Sequence, residues 1–382
     1  MRFQVEHFGK KSQTSSACET LYAILTVRRA VKYTDINSYP SFLQPIFNWR
    51  YWPTEFLYLP LTLYVFFIGA FKTGKLFYFA AANPKIPLGG FANDSKFSII
   101  KNIPIAFKPK TILISKNDNI ENLKYKFQDE NFSFPLFAKP DIGEGGFLAK
   151  KINTYDELLN YHSIHNMDYL VQEFIDYPLE LSVLIHNAEG DFKISSITER
   201  KHLSIIGDGY SSIEELLTAD KRVKLRIKNI KKQCESQLKI VLEKGKTLQP
   251  TSVGNRNYGA LFIERTELIN KATIESLENV NKIINLFNYA RYDIKCNSVE
   301  DFLQGKMKIL EINGVKGEPV HIYDSKYNLY EAYKEIFRHW GFIMQISKRN
   351  IKEGIVCPNF IQGFDMLRKH YLTKKTSLNK RN

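Results

Sequence analysis

The chain has 382 residues, of which 44% are hydrophobic and 25% are charged, and its formal net charge is +14. This composition argues against a disordered protein, and the length allows a sizeable core in two or three lobes. The positive surplus suits an anionic partner, such as nucleotide phosphates, an acidic substrate, anionic lipid or nucleic acid. The four cysteines have no spacing typical of a zinc or redox site, which predicts a reducing compartment without a disulfide framework.

Residues 1–94 are rich in aromatic side chains, and their start lacks a basic-then-apolar leader, so no secretory signal is predicted. The run Phe56–Phe71 is uncharged, but it is shorter than the roughly 20 apolar residues of a bilayer span, and Pro60 interrupts it. Aromatic residues precede the run and lysines follow it, as at a membrane interface. Three interpretations stay open: a monotopic or re-entrant membrane segment, a full span, and a soluble core helix.

Residues 95–345 predict an α+β body. Apolar or alternating runs indicate strands, and polar turns and helical periodicity separate them. Strands are predicted at 134–139, 169–175 and 181–185, a hairpin turn at 187–191, and helices at 158–161, 212–217, 221–243 and 273–287. Ser212 with Glu215 has the spacing of a helix-capping pair. Residues 346–382 are basic and predict a solvated, frayed tail, with contact to an anionic membrane as the alternative.

A glycine-rich loop follows the first predicted strand of the body. Lys139 ends that strand, and Gly143, Gly145 and Gly146 come shortly after it. Glycines let the backbone fold tightly and bring N–H groups close to an anion, and the ammonium group of Lys139 can reach the same phosphates. Because the lysine precedes the glycines, this loop is neither a P-loop nor a GxGxxG dinucleotide loop.

Two further features suit a nucleotide and its metal. A strand at 171–173 leads through Glu173, Phe174 and Ile175 to Glu180. Main-chain groups of this linker can bind an adenine edge, and the carboxylate of Glu173 or Glu180 can accept from ribose hydroxyls. Surface carboxylates on a hairpin are the alternative. Glu311 and Asn313 lie two apart, so they share one face of a strand. With Asp293 from a neighbouring predicted strand they offer three hard oxygen ligands, the type that Mg²⁺ prefers.

In this order the motifs resemble the ATP-grasp superfamily, over roughly residues 95–345. The resemblance implies two α+β subdomains with ATP between them and a glycine loop closing over the phosphates. It implies that Lys139 and an upstream lysine, Lys96 with Lys101 as the fallback, contact phosphates, that residues 173–175 hold adenine, and that Glu180 is the ribose-side acid. It further implies that Asp293, Glu311 and Asn313 bind two Mg²⁺ ions, with Mn²⁺ as an alternative metal.

Three arginines complete the predicted site. Arg291 is similar to the arginine that meets the transferred phosphoryl group. The stretch from Glu199 through Gly209 resembles cyanophycin synthetases and D-alanine–D-alanine ligase-like enzymes, and Ser252–Ala260 resembles their Asn-x-x-x-Gly-Gly segment. Arg200 and Arg256, which lie in these stretches, are candidates for substrate carboxylate or acyl-phosphate contact, because guanidinium binds such groups bidentately; ordinary surface arginines are the alternative. Residues 317–321 are expected to line the acceptor pocket.

The resemblance implies an ATP-dependent carboxylate–amine ligase that acts through an acyl phosphate on small-molecule or lipid-linked substrates. The alternative is a membrane-peripheral regulatory or phosphotransfer protein of the same fold without ligase activity. Residues 1–94 show none of the alternating strands and helices that such ligases usually carry there. The expected location is the cytoplasm or the inner face of the cytoplasmic membrane. Nucleic acid is not expected as a partner, because the basic run at 221–232 has no interleaved stacking aromatics.

Overall fold

The structure, a computed structural model, describes residues 48–129, 131–220, 223, 226–251, 254 and 256–377. The chain divides into two compact units, Met1–Pro53 and Thr54–Asn382. In the first unit residues 48–53 are described, with a short 3₁₀ helix at Trp49–Tyr51; the sheets and the remaining helices lie in the second. The predicted absence of a leader, Asn255 of the predicted substrate segment and residues 378–382 of the basic end lie outside the described residues.

The described strands, in chain order, are β1 (Thr111–Ile114), β2 (Leu136–Pro140), β3 (Lys150–Ile152), β4 (Tyr169–Glu173), β5 (Leu179–His186), β6 (Lys193–Lys201), β7 (Ile205–Ile206), β8 (Thr247–Leu248), β9 (Leu261–Glu264), β10 (Tyr289–Cys296) and β11 (Lys308–Asn313). The described α-helices are α1 (Thr54–Leu63), α2 (Ala70–Thr73), α3 (Lys96–Ile100), α4 (Ile120–Asp129), α5 (Tyr155–Ile164), α6 (Ile213–Ala219), α7 (Ile227–Gln233), α8 (Lys271–Ile284), α9 (Val299–Leu303), α10 (Leu329–Lys352) and α11 (Phe360–Ser377). Mixed helices and antiparallel sheets confirm the predicted α+β class.

A four-stranded antiparallel sheet, in the order β1-β4-β2-β3, forms the first lobe of the body. One face packs on α4 and α5 and carries alternate strand residues such as Leu136, Ala138 and Val171, all fully buried. Because side chains alternate across a strand, Lys139 points to the other face. The strands predicted at 134–139 and 169–175 are confirmed with small shifts at their ends.

A five-stranded antiparallel sheet, in the order β11-β10-β5-β6-β9, forms the second lobe. Val183, Tyr292 and Ile197 share one apolar face, which packs on α8 in the largest core described. The alternate residues of the same strands give the opposite face a polar and charged character, with Ser182 beside Asp293. Charged groups are rarely buried without partners. Packing of an apolar core therefore does not explain the charged residues on this face.

A small lobe holds the paired strands β7 and β8 with α6 and α7 around its own apolar cluster. The capping pair Ser212 and Glu215 is confirmed at the start of α6. The predicted long helix at 221–243 is wrong in its described part, where α7 ends at Gln233. The chain then turns back, and carbonyls of Leu238 and Ile240 accept from the first N–H groups of α6. Those N–H groups have no partner within their own helix.

One continuous helix runs from Thr54 to Thr73, as α1, a π-helical turn at Tyr64–Gly69, and α2. Pro60 lies inside α1 without ending it. Every fourth residue faces the body and is buried, namely Leu57, Leu61, Val65 and Gly69. The opposite face is exposed, with Phe67 at 70% and Phe71 at 89%. By length and composition Phe56–Thr73 is the candidate membrane span of the described residues, but only 22% of it is buried in the protein.

The described residues 346–377 are mostly helical and do not form the predicted frayed tail. Residues 346–352 end α10, and α11 follows at Phe360–Ser377. Gly363 of α11 packs on the Phe77 ring so closely that a Cβ would lie 2.2 Å from it. Only glycine allows this approach. The Phe66 ring of the Thr54–Thr73 helix also packs on Phe77, so α11 and that helix lie against the same part of the body.

Candidate functional site

The predicted metal ligands come together on the polar face of the five-stranded sheet. Asp293 of β10 lies directly opposite Glu311 of β11, and Arg291 lies opposite Asn313. Cross-strand partners project from the same face, so all four side chains share it. The pairing of β10 with β11 brings these side chains together. Residues two apart on a strand share a face, which is why the spacing of Glu311 and Asn313 indicated the site.

The carboxylate of Asp293 accepts hydrogen bonds from four side chains. Its Oδ1 accepts from Arg200 Nη2 at 2.7 Å, from Arg291 Nε at 3.0 Å and from Ser182 Oγ at 2.9 Å, and its Oδ2 accepts from Asn313 Nδ2 at 3.4 Å. Burial by itself would raise the pKa of Asp293, but the two guanidinium groups outweigh it and hold the pKa at about 2. Asp293 is therefore ionised throughout the physiological range.

Two lysines form the facing wall. Lys139 is only 7% exposed, and its Nζ donates to the Leu310 carbonyl at 3.0 Å. Lys96 Nζ lies 3.8 Å from Glu311 Oε1, whereas Lys101 is exposed. Lys96, Lys139, Leu310 and Glu311 line one cleft together with isoleucines of and beside α3. Of the two lysines left open by the sequence, Lys96 is the one in the cleft.

The segment after β2 holds α3, and with it Lys96, beside Lys139. Asp141 Oδ1 accepts from Phe97 N at 2.8 Å and from Ser95 Oγ at 3.0 Å, and its carbonyl accepts from Lys96 N. Because Asp141 directly follows the strand that carries Lys139, a short local contact fixes the distance between the two cations. Their proximity and burial lower the pKa of Lys139 from 10.5 to about 8, with burial the larger cause.

The glycine loop continues from the same segment. Gly143 accepts a hydrogen bond from Lys96 Nζ through its carbonyl. Gly145 and Gly146 have φ values of 61° and 73°, which favour glycine, and a Cβ at Gly145 would meet open space. Glu144 lies 3.7 Å from Lys316 Nζ, so the loop approaches the segment that follows the metal strand. The sequence had not indicated Lys316, whose other partner, Asp94, lies more than 200 residues away in the chain.

The predicted adenine linker follows β4. Lys295 Nζ donates to the Ile175 carbonyl at 3.0 Å, and the Phe174 ring lies under the ammonium groups of Lys151 and Lys295. The side chain of Glu173 does not face the cleft, which corrects its predicted ribose contact. It lies opposite Leu136, on the face that packs on the helices, and its carboxylate accepts from Lys110 N.

Glu180 lies on the polar face, opposite Lys295. Its Oε1 accepts from Arg200 Nη1 at 3.3 Å, and its Oε2 bonds to His202 Nε2 at 2.8 Å. Burial opposes ionisation, but His202 and Arg200 together lower the pKa of Glu180. Arg200 thus joins Glu180 to Asp293, and its buried Nε has no hydrogen-bond partner within the described ranges. A buried donor in this state is suited to an anionic ligand.

Arg256 is not beside Asp293. Its Nη2 donates to Thr54 Oγ1 at 3.1 Å, and its guanidinium carbon lies 4.6 Å from the centroid of the Tyr323 ring. Arg291 Nη1 reaches towards the same side and donates to the Glu318 carbonyl at 3.4 Å. These residues form a second polar group at 317–323, named the acceptor compartment after the pocket predicted there, and the contribution of α1 to it had no sequence signal.

The donor set of the first compartment fits a divalent cation with a polyphosphate. Two carboxylates and an amide share one face, as a hard cation requires. Four cations surround them, namely Lys96, Lys139, Arg200 and Arg291, so the cleft carries a positive surplus that a polyphosphate would neutralise.

A third group of polar side chains, His321, Glu335 and His339, has ligand atoms within 4.8 Å of one another. Glu335 also accepts from Arg338 Nε at 3.0 Å, and His339 Nδ1 bonds to Tyr289 Oη at 3.1 Å. Glu335 also bonds to His321, so the three side chains have partners within the protein and form a hydrogen-bond network.

No protein-family model matches the chain, and no curated protein matches it. Among solved structures the chain is similar to D-alanine–D-alanine ligase from Bacillus anthracis, with a TM-score of 0.39 and 16% identity over 68% of this chain and 69% of that chain. It is also similar to VanG D-Ala:D-Ser ligase from Enterococcus faecalis, with a TM-score of 0.36 and 17% identity over 66% of this chain and 60% of that chain. A bifunctional glutathione synthetase from Pasteurella multocida matches with a TM-score of 0.33 and 13% identity, over 64% of this chain and 36% of that chain.

All three TM-scores lie below 0.5 and the identities are low. Nothing about the activity of this chain follows from these matches, and its own residues have to support a function.

Proposed function

We propose that this protein is an ATP- and Mg²⁺-dependent ligase that joins a carboxylate to an amine through an acyl phosphate. The observation that carries the proposal is a cleft in which Lys139 from one sheet meets Glu311 from the other, with Asp293 directly opposite Glu311 on the same face. Neither sheet needs these charges for packing, since each has its own apolar core on the opposite face. A buried cation facing two carboxylates across a cleft is costly for folding alone.

Asp293, Glu311 and Asn313 would hold the metal, whose chemistry when bound is to neutralise phosphate oxygens. Lys139 and Lys96 bind the phosphates, and the loop from Gly143 to Gly146 covers them. The main chain at Phe174 and Ile175 holds the adenine, and Glu180 lies on its ribose side. In the first step a substrate carboxylate oxygen attacks the terminal phosphorus, its new O–P bond forms, and ADP leaves with the electron pair of the broken bond. Arg291 and Arg200 stabilise the charge on the transferring group.

The proposal is tested with Asp293→Asn and Glu311→Gln, assayed for phosphate release from Mg-ATP with a panel of amino acids, short peptides and acyl lipids. Both variants are expected to lose at least about 100-fold in turnover, because each removes a charge that the transition state requires. The matched control is Glu173→Gln, which makes the same chemical change on the other face of β4. Circular dichroism verifies that each variant is folded. Wild-type turnover in either site variant would reject the assignment.

A nucleotide-binding regulator of the same fold, without chemistry, would be expected to lack one of the metal ligands or phosphate-binding lysines. Lys96, Lys139 and Glu311 line the cleft, and Asp293 and Asn313 share the face of the sheet that carries Glu311; no contact there favours the regulatory alternative. The ligase is therefore the function that this arrangement supports best.

We also propose that the protein binds the surface of an anionic membrane through the exposed face of the Thr54–Thr73 helix. One side of this helix packs on the body along its whole length, which suits neither a full span nor a buried core helix. Phe67 and Phe71 point outward, and exposed Lys72 and Lys75 follow. Apolar side chains flanked by cations suit the boundary between acyl chains and anionic headgroups.

Flotation with phosphatidylglycerol-containing vesicles tests this part of the proposal. Phe67→Ser with Phe71→Ser is expected to release the protein from vesicles, while nucleotide-dependent phosphate release in solution stays unchanged. The matched control is Tyr125→Ser, an exposed aromatic on α4. Equal flotation of wild type and the double variant would contradict membrane binding through this helix.

A further inference from the structure

The acceptor compartment lies directly behind Arg291. This arginine contacts the Asp293 carboxylate with two nitrogens and the Glu318 carbonyl with a third. A group bound by Arg291 on the metal side is thus separated from the Glu318 compartment by one side chain. This is the geometry needed for a second substrate to approach an acyl group whose phosphate is held on the metal side.

The compartment is lined by polar groups from three distant parts of the chain. Tyr323 Oη donates to Glu318 Oε2 at 3.4 Å, and Arg256 stacks on the Tyr323 ring while donating to Thr54. Tyr58, one turn after Thr54 on α1, places its hydroxyl here. That hydroxyl is buried and has no hydrogen-bond partner among the side chains and backbone that the structure describes.

The charges in the compartment are not balanced as in a structural ion pair. Burial raises the pKa of Glu318 even though Arg291 and Arg256 oppose it. Burial and then the charge of Glu318 raise the pKa of Tyr58. A carboxylate whose pKa is raised and a buried, unpartnered phenol hydroxyl form a site that accepts protons and hydrogen bonds from a ligand.

We propose that Glu318, assisted by Tyr58, binds the amine substrate of the ligase and takes the proton that the amine must lose before it attacks. This inference rests on the proposed function. Glu318 is the group of this compartment that can take a proton from an ammonium ion, since its charged neighbours Arg256 and Arg291 are cations.

The step balances as follows. The substrate enters as R–NH₃⁺ and transfers one proton to the Glu318 carboxylate, which leaves a neutral amine with a free electron pair. That pair attacks the acyl carbon, so the C–N bond forms. The C–O bond to phosphate then breaks, and inorganic phosphate leaves with its electron pair. The second proton released from nitrogen goes to the departing phosphate, and Glu318 returns its own proton to solvent.

Hydroxylamine separates this step from the one before it, since it is a neutral nucleophile at pH 7 and needs no proton acceptor. Wild type, Glu318→Gln and Tyr58→Phe are incubated with Mg-ATP and the common amino acids as carboxylates, with hydroxylamine or a primary amine as nucleophile. For Glu318→Gln we expect hydroxamate formation within about threefold of wild type but amide formation at least about 100-fold slower, in the range of general-base effects. For Tyr58→Phe we expect a several-fold higher KM for the amine with hydroxamate formation unchanged. Glu189→Gln, on an exposed hairpin, is the matched control and is expected to behave as wild type.

The pH profile gives a readout that a merely structural role would not move. Amide formation by the wild type should decrease as the pH falls and Glu318 takes up a proton, and this decrease should be absent from the residual activity of Glu318→Gln. If Glu318→Gln forms amide as fast as wild type, or loses hydroxamate formation equally, the inference is overturned while the ligase proposal stands. If the wild type forms no hydroxamate from any carboxylate tested, the ligase proposal fails, and this inference fails with it.

Discussion

Replacing Lys139 with an uncharged residue should stabilise the nucleotide-free protein and weaken its binding of Mg-ATP. The Lys139 pKa of about 8, against the ordinary 10.5, corresponds to about 3 kcal/mol disfavouring the charged form at pH 7, at about 1.4 kcal/mol per pKa unit. Its hydrogen bond to the Leu310 carbonyl returns about 1–2 kcal/mol, as is typical of a charged donor. Lys139→Met, of similar length, is therefore expected to raise the free energy of unfolding of the nucleotide-free protein by about 1–2 kcal/mol at pH 7.

The assay is urea denaturation with and without Mg-ATP. A ligand at about 100 times its Kd stabilises a protein by about 2.7 kcal/mol, and Lys139→Met should lose most of this stabilisation because it removes a phosphate-binding cation. Lys101→Met is the matched control, since Lys101 is exposed and outside the cleft. A Lys139→Met protein that is less stable than wild type without nucleotide, or equally stabilised by Mg-ATP, would refute the reasoning.

Two further predictions concern the pH dependence of nucleotide binding and the contribution of Asn83 to stability. Nucleotide binding should prefer protonated Lys139, so affinity should fall as the pH rises through about 8, by about tenfold between pH 7 and pH 9; calorimetric titrations should show this slope in wild type and not in Lys139→Arg, which stays charged. Asn83 is fully buried and bonds to the carbonyls of Gly89 and Tyr289 and to the N–H groups of Asn288 and Tyr289. Asn83→Ala should lower the free energy of unfolding by about 2–4 kcal/mol, since it leaves buried backbone groups unpaired; a loss below about 1 kcal/mol in urea denaturation would show that these bonds do not hold the segment.

The parts of the site that the sequence predicted are those fixed over short distances. Glu311 and Asn313 share a face because strands have a period of two, and Lys139 ends a strand whose apolar pattern is local. Glu173 shows the limit. Its side-chain direction depends on pairing with Leu136 in β2, a contact between residues far apart in the chain, and a shift of one residue would have put it in the cleft. The predicted helix at 221–243 was wrong in its described part for a similar reason. α7 ends at Gln233, and the carbonyls of Leu238 and Ile240 then accept from N–H groups of α6, a contact that helical periodicity does not show.

The N-terminal segment was the largest gap between sequence and structure, and contacts across more than 200 positions explain why. Its apolar composition indicated a helix, but not that Thr54 would meet Arg256, that Leu57 would accept from Tyr333, or that Asn83 would be bonded to Tyr289. These contacts place residues 54–94 in the same compact unit as the two sheets. Because Tyr58 and Phe67 belong to one continuous helix, the wall of the proposed amine compartment and the exposed apolar face are two sides of the same element. A membrane contact on one side would therefore bear directly on the position of the Tyr58 hydroxyl on the other.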